Sequence, residues 1–524
     1  MKYNSQGKQL TLDIFTTSLE KSLDPENRWY KLANAMPWDK IEQMYVQTLD
    51  NAHDGAGNKP ARMIIGALII KHRMSLSDRE TISLIAENPY MQYFVGLSEF
   101  SNIPIFDPSL FVHIRKRLGV DSINKITELL MHTQKENTCG EDEESESEND
   151  DKGDSTIISN VPGPTAPDSF ADKNGEIHSG NMLIDATCSD AEVKYPTDIE
   201  VLHDAVRVSV RVIESLCKIT GSSRPKTFDK AARKKFLAVA KKKRKSKSLI
   251  RRGLKQQLVY LRRNIDSMVK IVSENGSSCI NGLKRKEREF IGTCIKVYHQ
   301  QKMMFDEKTH QCKDRIISVF QPHVRPIVRG KAKAKVEFGS KIGVCVVSGY
   351  TFLDHFSWDA YNESEDLNTH LERYRERFGC LPVKCYADKI YMNRENRRIL
   401  QENHIQAAGK PLGRPTREMK TAEYKQQALE DNGVRNGVEA TFGTGKRVYR
   451  ANNIRAKLPD TGDTWTAMCY LVKNIKKFLK EVLFALFGNR ITEYIQRPVN
   501  FFFFRSRFLM LTISVIQSLE IEVD

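Results

Sequence analysis

The spacing of apolar residues predicts helices over residues 1–135. Ile64 and Leu68 lie four positions apart, as do Ile65 and Ile69, which is the repeat of a buried helix face. A later row with helical spacing begins near Leu110. Between the two rows, a serine followed three residues later by a glutamate is typical of a helix start. We therefore predict a helical N-terminal domain, and the pattern favours an ordinary bundle over a helix-turn-helix module.

A second helical region is predicted over residues 216–320, as an antiparallel hairpin packed on its own chain. One row of apolar residues is spaced 4, 3, 4, 3 and 4 positions apart, which is a heptad seam. A polar loop follows, and a similar period resumes at Phe290. The residues of the first seam are Leu254, Leu258, Leu261, Ile265, Met268 and Val272.

Between and after these helices the period changes to that of strands. Met182–Ile184 is a short buried-strand pattern that leads into Asp185, and Val336–Val347 and Tyr350–Trp358 alternate as two antiparallel strands. A helix, two short strands and further helices follow up to residue 486. The order predicts a mixed α/β core made of residues 181–215 and 321–486, interrupted by the helical insertion, with a C-terminal tail over 487–524.

Charge is unevenly distributed along the 524 residues, whose formal net charge is +16. Hydrophobic residues make up 40% of the chain, which excludes wholesale disorder. Residues 141–154 hold nine acids and one lysine, so we expect 136–180 to be an acidic, disordered linker. The chain outside 141–154 then carries +24.

The densest basic stretch lies in the predicted insertion. Residues 225–263 hold sixteen Lys or Arg and a single acid, which favours a polyanion such as nucleic acid as partner. A solvated helix face is the alternative. Candidate DNA contacts here are Lys241, Lys242, Lys243 and Arg244, and in the N-terminal domain Arg115 and Arg117.

Other partners and compartments are disfavoured. The first residues contain no apolar run of a secretory signal, and no stretch of about eighteen uncharged apolar residues predicts a membrane helix. The ten cysteines contain no CxxC pair. We therefore expect a cytoplasmic chain with reduced thiols and no membrane partner.

Three acids stand in positions suited to phosphodiester chemistry. Asp185 and Asp388 follow apolar strands, where α/β sheets present functional groups. Glu439 lies on a predicted helix, with Arg435 about 40° and Lys446 about 20° away around its axis.

Such a trio fits two hard cations, because Mg²⁺ prefers oxygen ligands and two ions can stabilise the attacking and leaving oxygens. The alternative is that the two aspartates only end strands and Glu439 is a surface ion-pair residue.

The chain also resembles the DDE transposases of bacterial insertion sequences, in the group of insertion-sequence-five and insertion-sequence-four relatives. The Arg-x3-Glu-x6-Lys spacing from Arg435 matches the family signature. Asn432 stands where that family has a tyrosine, so one DNA contact of the signature is in doubt. The other matching pieces are Leu183–Thr187 with Tyr195–Asp198, Val324–Gly330 with Val336–Lys341 and Ser357–Asn362, Ala387–Asp388, and Phe106–Phe111.

This resemblance implies a ribonuclease-H-like fold with a helical insertion before its second strand. It implies that Asp185, Asp388 and Glu439 are catalytic and bind two Mg²⁺ or Mn²⁺ ions, and that Arg435 and Lys446 contact the DNA backbone. Arg447, beside Lys446, is a further candidate contact. The implied reaction is cleavage at the element ends by metal-activated water, followed by in-line attack of the freed 3′-hydroxyl on target DNA.

The resemblance further implies a homodimer on double-stranded DNA and a nucleoid-associated location. Two alternatives stay open. One is a nuclease of the same fold that cuts without strand joining. The other is a non-catalytic DNA-binding regulator whose acids are structural.

Overall fold

A computed structural model describes residues 18–49, 58–138, 161–328, 336–408 and 421–496, without the side chains of 134–138 and 483–496. The acidic stretch 141–154 and the end of the predicted C-terminal tail, 497–524, lie outside the described residues. The predicted division between core and tail at residue 487 falls inside the last helix of the described chain.

The N-terminal region is helical, as its apolar pattern predicts. Ile64 and Leu68 are buried in the centre of this bundle. The predicted capping box is present, since Ser77 and Glu80 satisfy each other's backbone N–H groups. The last helix breaks at Gly119, whose φ of +63° suits glycine. The helices are α1 Ser18–Lys21, α2 Arg28–Ala35, α3 Trp38–Gln47, α4 Ala61–Arg73, α5 Asp78–Glu87, α6 Pro89–Phe94 and α7 Leu110–Thr138.

Residues 161–180 are ordered, so the prediction of a disordered linker is wrong for this part. Turn-forming residues here close a small hairpin of two strands, β1 Phe170–Ala171 and β2 Ile177–His178. Asp172 accepts hydrogen bonds from the backbone of Asn174 and Glu176, which stabilises the turn. Polarity was the basis of the disorder prediction, but these polar groups satisfy one another.

A long strand, β3 Asn181–Asp190, leads into the helical insertion. The first helix after it buries an apolar face against the later ones, so the predicted division between core and insertion at 215/216 falls inside that helix. Leu258, Leu261 and Met268 of the predicted seam are buried there. The four helices are α8 Asp198–Thr220, α9 Asp229–Ala240, α10 Lys247–Asn275 and α11 Arg285–Glu307.

The chain then completes a six-stranded mixed sheet that includes β3. The other strands of this sheet are β4 Arg325–Val328, β5 Val336–Val347, β6 Tyr350–Ser357, β7 Lys384–Ala387 and β8 Gln406–Ala407. The strand order is β4-β5-β3-β7-β8, and β6 also pairs with β5. β3 pairs antiparallel with β5 and parallel with β7. The accompanying helices are α12 Leu367–Phe378, α13 Arg394–Glu402, α14 Ala422–Arg447 and α15 Gly462–Gln496. The predicted mixed α/β class, with a helical N-terminal region, is confirmed.

The N-terminal helices and the sheet share one hydrophobic core. α7 and α15 pack together against β6. Asn124 of α7 donates to the backbone of Leu353, and Asn474 of α15 donates to the backbone of Thr351, at 2.9 and 2.8 Å. These buried hydrogen bonds hold both helices against the sheet at defined positions.

In the part of the chain that the structure describes, no helix is long and apolar enough to cross a membrane. The nine cysteines in that part are all free thiols, and eight of them are buried.

Candidate active site

The pairing of β3 with β7 places two of the predicted acids side by side. The parallel register pairs Ile184 with Ala387, so Asp185 and Asp388 are the next residues on two neighbouring strands. Such strands lie about 4.8 Å apart. Asp388 follows the end of β7, as predicted.

Asp185 does not end its strand, which corrects the sequence prediction. It lies in the middle of β3 because pairing with β5 continues through Asp190, with Asp185 opposite Val344. The pairing with the shorter β7 ends at Ile184, one residue before Asp185. At Asp185, β3 is therefore hydrogen-bonded to β5 along one edge, while its other edge faces the segment that begins with Asp388.

Helix α14 crosses the sheet face that carries these acids, and two ion pairs fix its position. Lys384 of β7 contacts Asp431 at 2.6 Å, and Asp388 contacts Arg435 at 3.0 Å. Residues four apart share a face in both a strand and a helix, so the two ion pairs lie one above the other as a ladder. In the first pair the strand carries the cation and the helix the acid, and in the second pair the charges are reversed. This ladder sets the register of α14 against β7.

Glu439 lies one helical turn beyond Arg435 and is exposed. The Arg435 guanidinium lies 3.0 Å from an oxygen of Asp388 and 3.9 Å from an oxygen of Glu439. One cation therefore stands between two of the three predicted ligands. The structure brings all three acids to one face, with Asp185 and Asp388 adjacent and Glu439 linked to them through Arg435.

The donor chemistry of this site fits a hard divalent cation, because the three side chains offer only carboxylate oxygens. As the side chains stand, no group of three His, Cys, Asp or Glu residues among the described positions is arranged to hold a metal ion. The Arg435 guanidinium lies between Asp388 and Glu439, and these two carboxylates would have to approach each other to share an ion.

Three tyrosines that lie near the acids in sequence are buried, namely Tyr386, Tyr391 and Tyr449. Burial raises the pKa of Tyr391, and the neighbouring Tyr361, Glu363, Asp366 and Asp185 add to the increase. Their burial favours a role in packing over contact with DNA.

The two cations that follow Glu439 remain on α14. Lys446 is half-buried and Arg447 is exposed, with its Nε 3.4 Å from the carbonyl of Gly443 on the same helix. Lys446 keeps the predicted helical face of Glu439. Both residues stay predicted DNA contacts.

The candidate DNA contacts elsewhere divide into two groups. The four cations from Lys241 to Arg244 are exposed at the end of α9 and in the loop before α10, as a contact surface requires. Arg115, in contrast, is 5% exposed and donates two 3.0 Å hydrogen bonds to Asp78, so its prediction as a DNA contact is wrong. Arg117 is half-buried against the ring and hydroxyl of Tyr45, and its contact with DNA stays a prediction.

Sequence reasoning missed Lys384 and Asp431, the first pair of the ladder. The signal was available: Lys384 and Asp388 are four apart on a strand, and Asp431 and Arg435 are four apart on a helix, with the charges reversed. Each pair was visible, but nothing in the sequence says that this strand meets this helix.

Comparison with protein families adds two matches. Residues 385–476 match the family described as "Transposase DDE domain", and residues 17–117 match "Transposase domain (DUF772)". Both matched families are described as transposase domains. The resemblance to DDE-type transposases of insertion sequences is thereby confirmed. The DDE domain contains Asp388, Arg435, Glu439 and Lys446, whereas Asp185 lies outside both matches.

A curated relative of this chain is "Uncharacterized protein ORF8 in nfe locus" from Rhizobium meliloti. The two are 28% identical over 122 residues, which is 23% of this chain. The match spans 56% of the length of that relative. No solved structure matches the chain.

Proposed function

We propose that this protein is a DNA transposase that binds the ends of an insertion sequence and carries out strand cleavage and strand transfer at one site. The observation that carries the proposal is the placement of Asp185 beside Asp388 on neighbouring strands, with Glu439 of α14 joined to Asp388 through Arg435. The transposase matches over the N-terminal helices and the second half of the core support the same reading.

In this proposal, Asp185, Asp388 and Glu439 hold two Mg²⁺ or Mn²⁺ ions. The ions supply an activated water or 3′-hydroxyl and a stabilised leaving oxygen when bound. The three carboxylates would position the ions, and the reaction would need no covalent protein–DNA bond, so no serine or tyrosine nucleophile is required. The ribonuclease-H-like order fits, because the first acid lies on β3 and the second follows β7, the fourth strand when β4 is left out of the count.

Arg435 has a double role in the proposal. Its guanidinium neutralises Asp388 and Glu439 while they lie close together, at 3.0 and 3.9 Å. A DNA phosphate offers the same cation a competing bidentate partner. When Arg435 turns to the phosphate, both carboxylates become available to the metal. Lys446 and Arg447 extend the basic face along the backbone of the DNA.

The decisive experiment uses Asp185→Asn with a duplex that carries the terminal repeats of the element. The variant is expected to bind this duplex as the wild type does and to lose strand cleavage in Mg²⁺ by a factor of 100 or more, since one metal ligand is weakened. Electrophoretic mobility shifts measure binding, and denaturing gels measure cleavage. Cleavage by the variant at the wild-type rate contradicts the assignment of Asp185.

Two other results separate the remaining functions. Cleaved ends that never join to a target duplex would identify a nuclease of the same fold. Binding with no cleavage by the wild type under any divalent ion would identify a DNA-binding regulator. Asp359→Asn is the matched control, because Asp359 is an exposed acid beyond β6 that pairs with Arg325. It is expected to cleave like the wild type.

The proposed assembly is a homodimer on double-stranded DNA, because two element ends must be held together for transfer. The proposed location is the cytoplasm, in association with the nucleoid. Light scattering of the protein with and without an end-containing duplex measures the assembly directly.

A further inference from the structure

Strand pairing does not extend to the first two acids of the candidate site. The last pair between β3 and β7 joins Ile184 to Ala387, and the two acids follow directly. Asp185 is still held by the sheet, because β5 continues to pair with β3 through this position. Asp388 lies beyond the end of β7, so its position beside Asp185 depends on contacts outside the sheet.

The residues after β7 form a tight turn that includes the carboxylate of Asp388. The N–H of Tyr391 donates to the backbone carbonyl of Asp388 at 3.0 Å. The N–H of Lys389 donates to the Asp388 carboxylate at 2.7 Å. Tyr391 is 1% exposed, so a buried side chain anchors the turn. A contact that holds Tyr391 therefore also holds the backbone of Asp388 and one oxygen of its carboxylate.

One buried amide, that of Asn396 in the first turn of α13, joins this turn to a different segment. Its side-chain nitrogen donates to the carbonyl of Tyr391 at 2.8 Å and to the carbonyl of Ser364 at 2.7 Å. Both partners are carbonyl oxygens, which only accept, so the nitrogen end of the amide must face them. Asn396 is itself fixed, because its backbone N–H donates to the side chain of Asn393, the N-cap of α13, at 2.8 Å.

Ser364 belongs to the short helical turn Glu363–Asp366, which is fastened to the sheet at both ends. Lys341 of β5 contacts the carboxylate of its first residue at 2.9 Å. His355 of β6 lies 2.7 Å from a carboxylate oxygen of its last residue. The strand that pairs with β3 at Asp185 is therefore also the strand to which this helical turn is attached.

We propose that Asn396 is a positioning residue of the active site, whose buried amide fixes Asp388 at the spacing from Asp185 that shared divalent ions require. The inference rests on the proposed function. β5 holds Asp185 directly through β3, and it holds Asp388 through the turn Glu363–Asp366 and the Asn396 amide. Both acids thus take their positions from the same strand. Groups that orient metal ligands from behind typically change metal affinity or activity by about 10–100-fold when they are removed.

The test uses Mn²⁺ as the probe and measures its binding to the protein–DNA complex without turnover. The duplex ends at the terminus of the element, so it offers no bond to cleave. The decrease of the electron paramagnetic resonance signal of free Mn²⁺ gives the affinity. The complex of Asp185→Asn gives the background of ions that the DNA itself holds. Mobility shifts without metal confirm that each variant binds the duplex as the wild type does.

Asn396→Ala removes both hydrogen bonds between the two turns. Its affinity for Mn²⁺ is expected to fall by about 10-fold, at the low end of the range for groups that orient ligands. Asn403→Ala is the matched control, because the Asn403 amide donates to the carbonyl of Ile399 at 2.8 Å at the other end of α13, within its own helix. The control is expected to bind Mn²⁺ as the wild type does.

A second variant keeps the Asn396 amide and weakens the attachment of the helical turn to the sheet. Glu363→Gln keeps the shape of the side chain and removes the charge that pairs with Lys341. The affinity for Mn²⁺ is expected to fall by about 3-fold, because a neutral hydrogen bond is weaker than a charged one and the contact of His355 remains. Both partners of this pair are partly exposed, so this variant decides the question if Asn396→Ala does not fold.

An affinity for Mn²⁺ equal to that of the wild type in Asn396→Ala, or in Glu363→Gln where the first variant does not fold, overturns the positioning role. An equal loss in Asn403→Ala also overturns it, because the loss then follows from weakening α13 as a whole. These results leave the proposed function standing if the wild type cleaves and joins end-containing DNA. A wild-type complex that binds no more Mn²⁺ than that of Asp185→Asn contradicts the proposed metal site first, and the inference with it.

Discussion

At the residue scale, this chain shows how the same side-chain type takes opposite roles in different surroundings. Arg115 is buried and satisfied by Asp78, so it stabilises the N-terminal bundle. Arg435 is only partly buried and divides its guanidinium between two acids at unequal distances, 3.0 and 3.9 Å. The first arrangement is closed, and removing one partner would leave a buried charge. The second can exchange partners, which is what a catalytic site requires.

A histidine outside the site gives a prediction of pH dependence. Burial and, to a smaller extent, the neighbouring Arg325 together lower the pKa of His323 from its ordinary value of 6.5 to about 4. Its ring packs edge-on against Trp358 at 4.6 Å. The unfolded chain therefore takes up a proton between pH 6.5 and 4 that the folded chain resists, and stability is lost over this window as the pH falls.

His323→Gln is expected to remove part of that loss, about 1–2 kcal/mol after allowance for the solvent that reaches the ring. Urea unfolding at intervals from pH 8 to pH 4 measures it. At pH 8 both proteins carry an uncharged side chain at this position, so a difference between their free energies of unfolding there does not arise from protonation. Parallel profiles over the whole range would show that His323 does not cause the loss.

At the scale of elements, the sequence of α14 has a low helix propensity, although the helix packs closely against its neighbours. Four glycines lie within it, and glycine in a helix interior costs roughly 0.5–1 kcal/mol relative to alanine. Their surroundings differ. A Cβ at Gly437 would meet nothing within 4 Å, whereas a Cβ at Gly445 would lie 2.8 Å from the buried ring of Tyr470. Gly445 is thus required by packing against α15, and Gly437 is not required by any contact.

The two glycines form a matched pair for measurement. Gly437→Ala is expected to raise the free energy of unfolding by about 0.5–1 kcal/mol, through the lower entropy of the unfolded chain. Gly445→Ala is expected to lower it by about 1–3 kcal/mol, because the ring of Tyr470 cannot move aside. Denaturant unfolding of both variants measures the difference. Equal effects of the same sign would contradict the packing of α14 on α15.

At the scale of the whole molecule, the densest exposed cations and the three acids of the candidate site belong to different parts of the fold. The three acids lie on β3, just after β7 and on α14, while the densest exposed cations lie in the helical insertion between β3 and β4. The insertion has hydrophobic clusters of its own, formed by α8, α10 and α11. Its surface can therefore change without disturbing the site. This arrangement suits a protein in which one part holds the polyanion and another part cuts it.

Replacing the four cations from Lys241 to Arg244 by glutamine is expected to weaken DNA binding and to reduce its salt dependence. The slope should become shallower by about 0.9 for each phosphate contact that is lost. The cleavage rate at saturating DNA should not change, because these side chains belong to the helical insertion, which has its own hydrophobic clusters, and not to the strands or helix that carry the three acids. Arg373→Gln with Arg375→Gln on α12 is the control. A cleavage rate that falls at saturation would place the cluster in the catalytic step.

The sequence by itself determined most of the elements and their order, but not the hairpin of β1 and β2. Helical periodicity located α4 and α10, alternation located β5 and β6, and the charge pattern located the basic stretch, because these signals come from residues close together in the chain. Only the tertiary structure decided which charges meet. Arg435 between two acids and Arg115 on Asp78 depend on contacts between residues far apart in sequence, and a local pattern carries no information about distant neighbours.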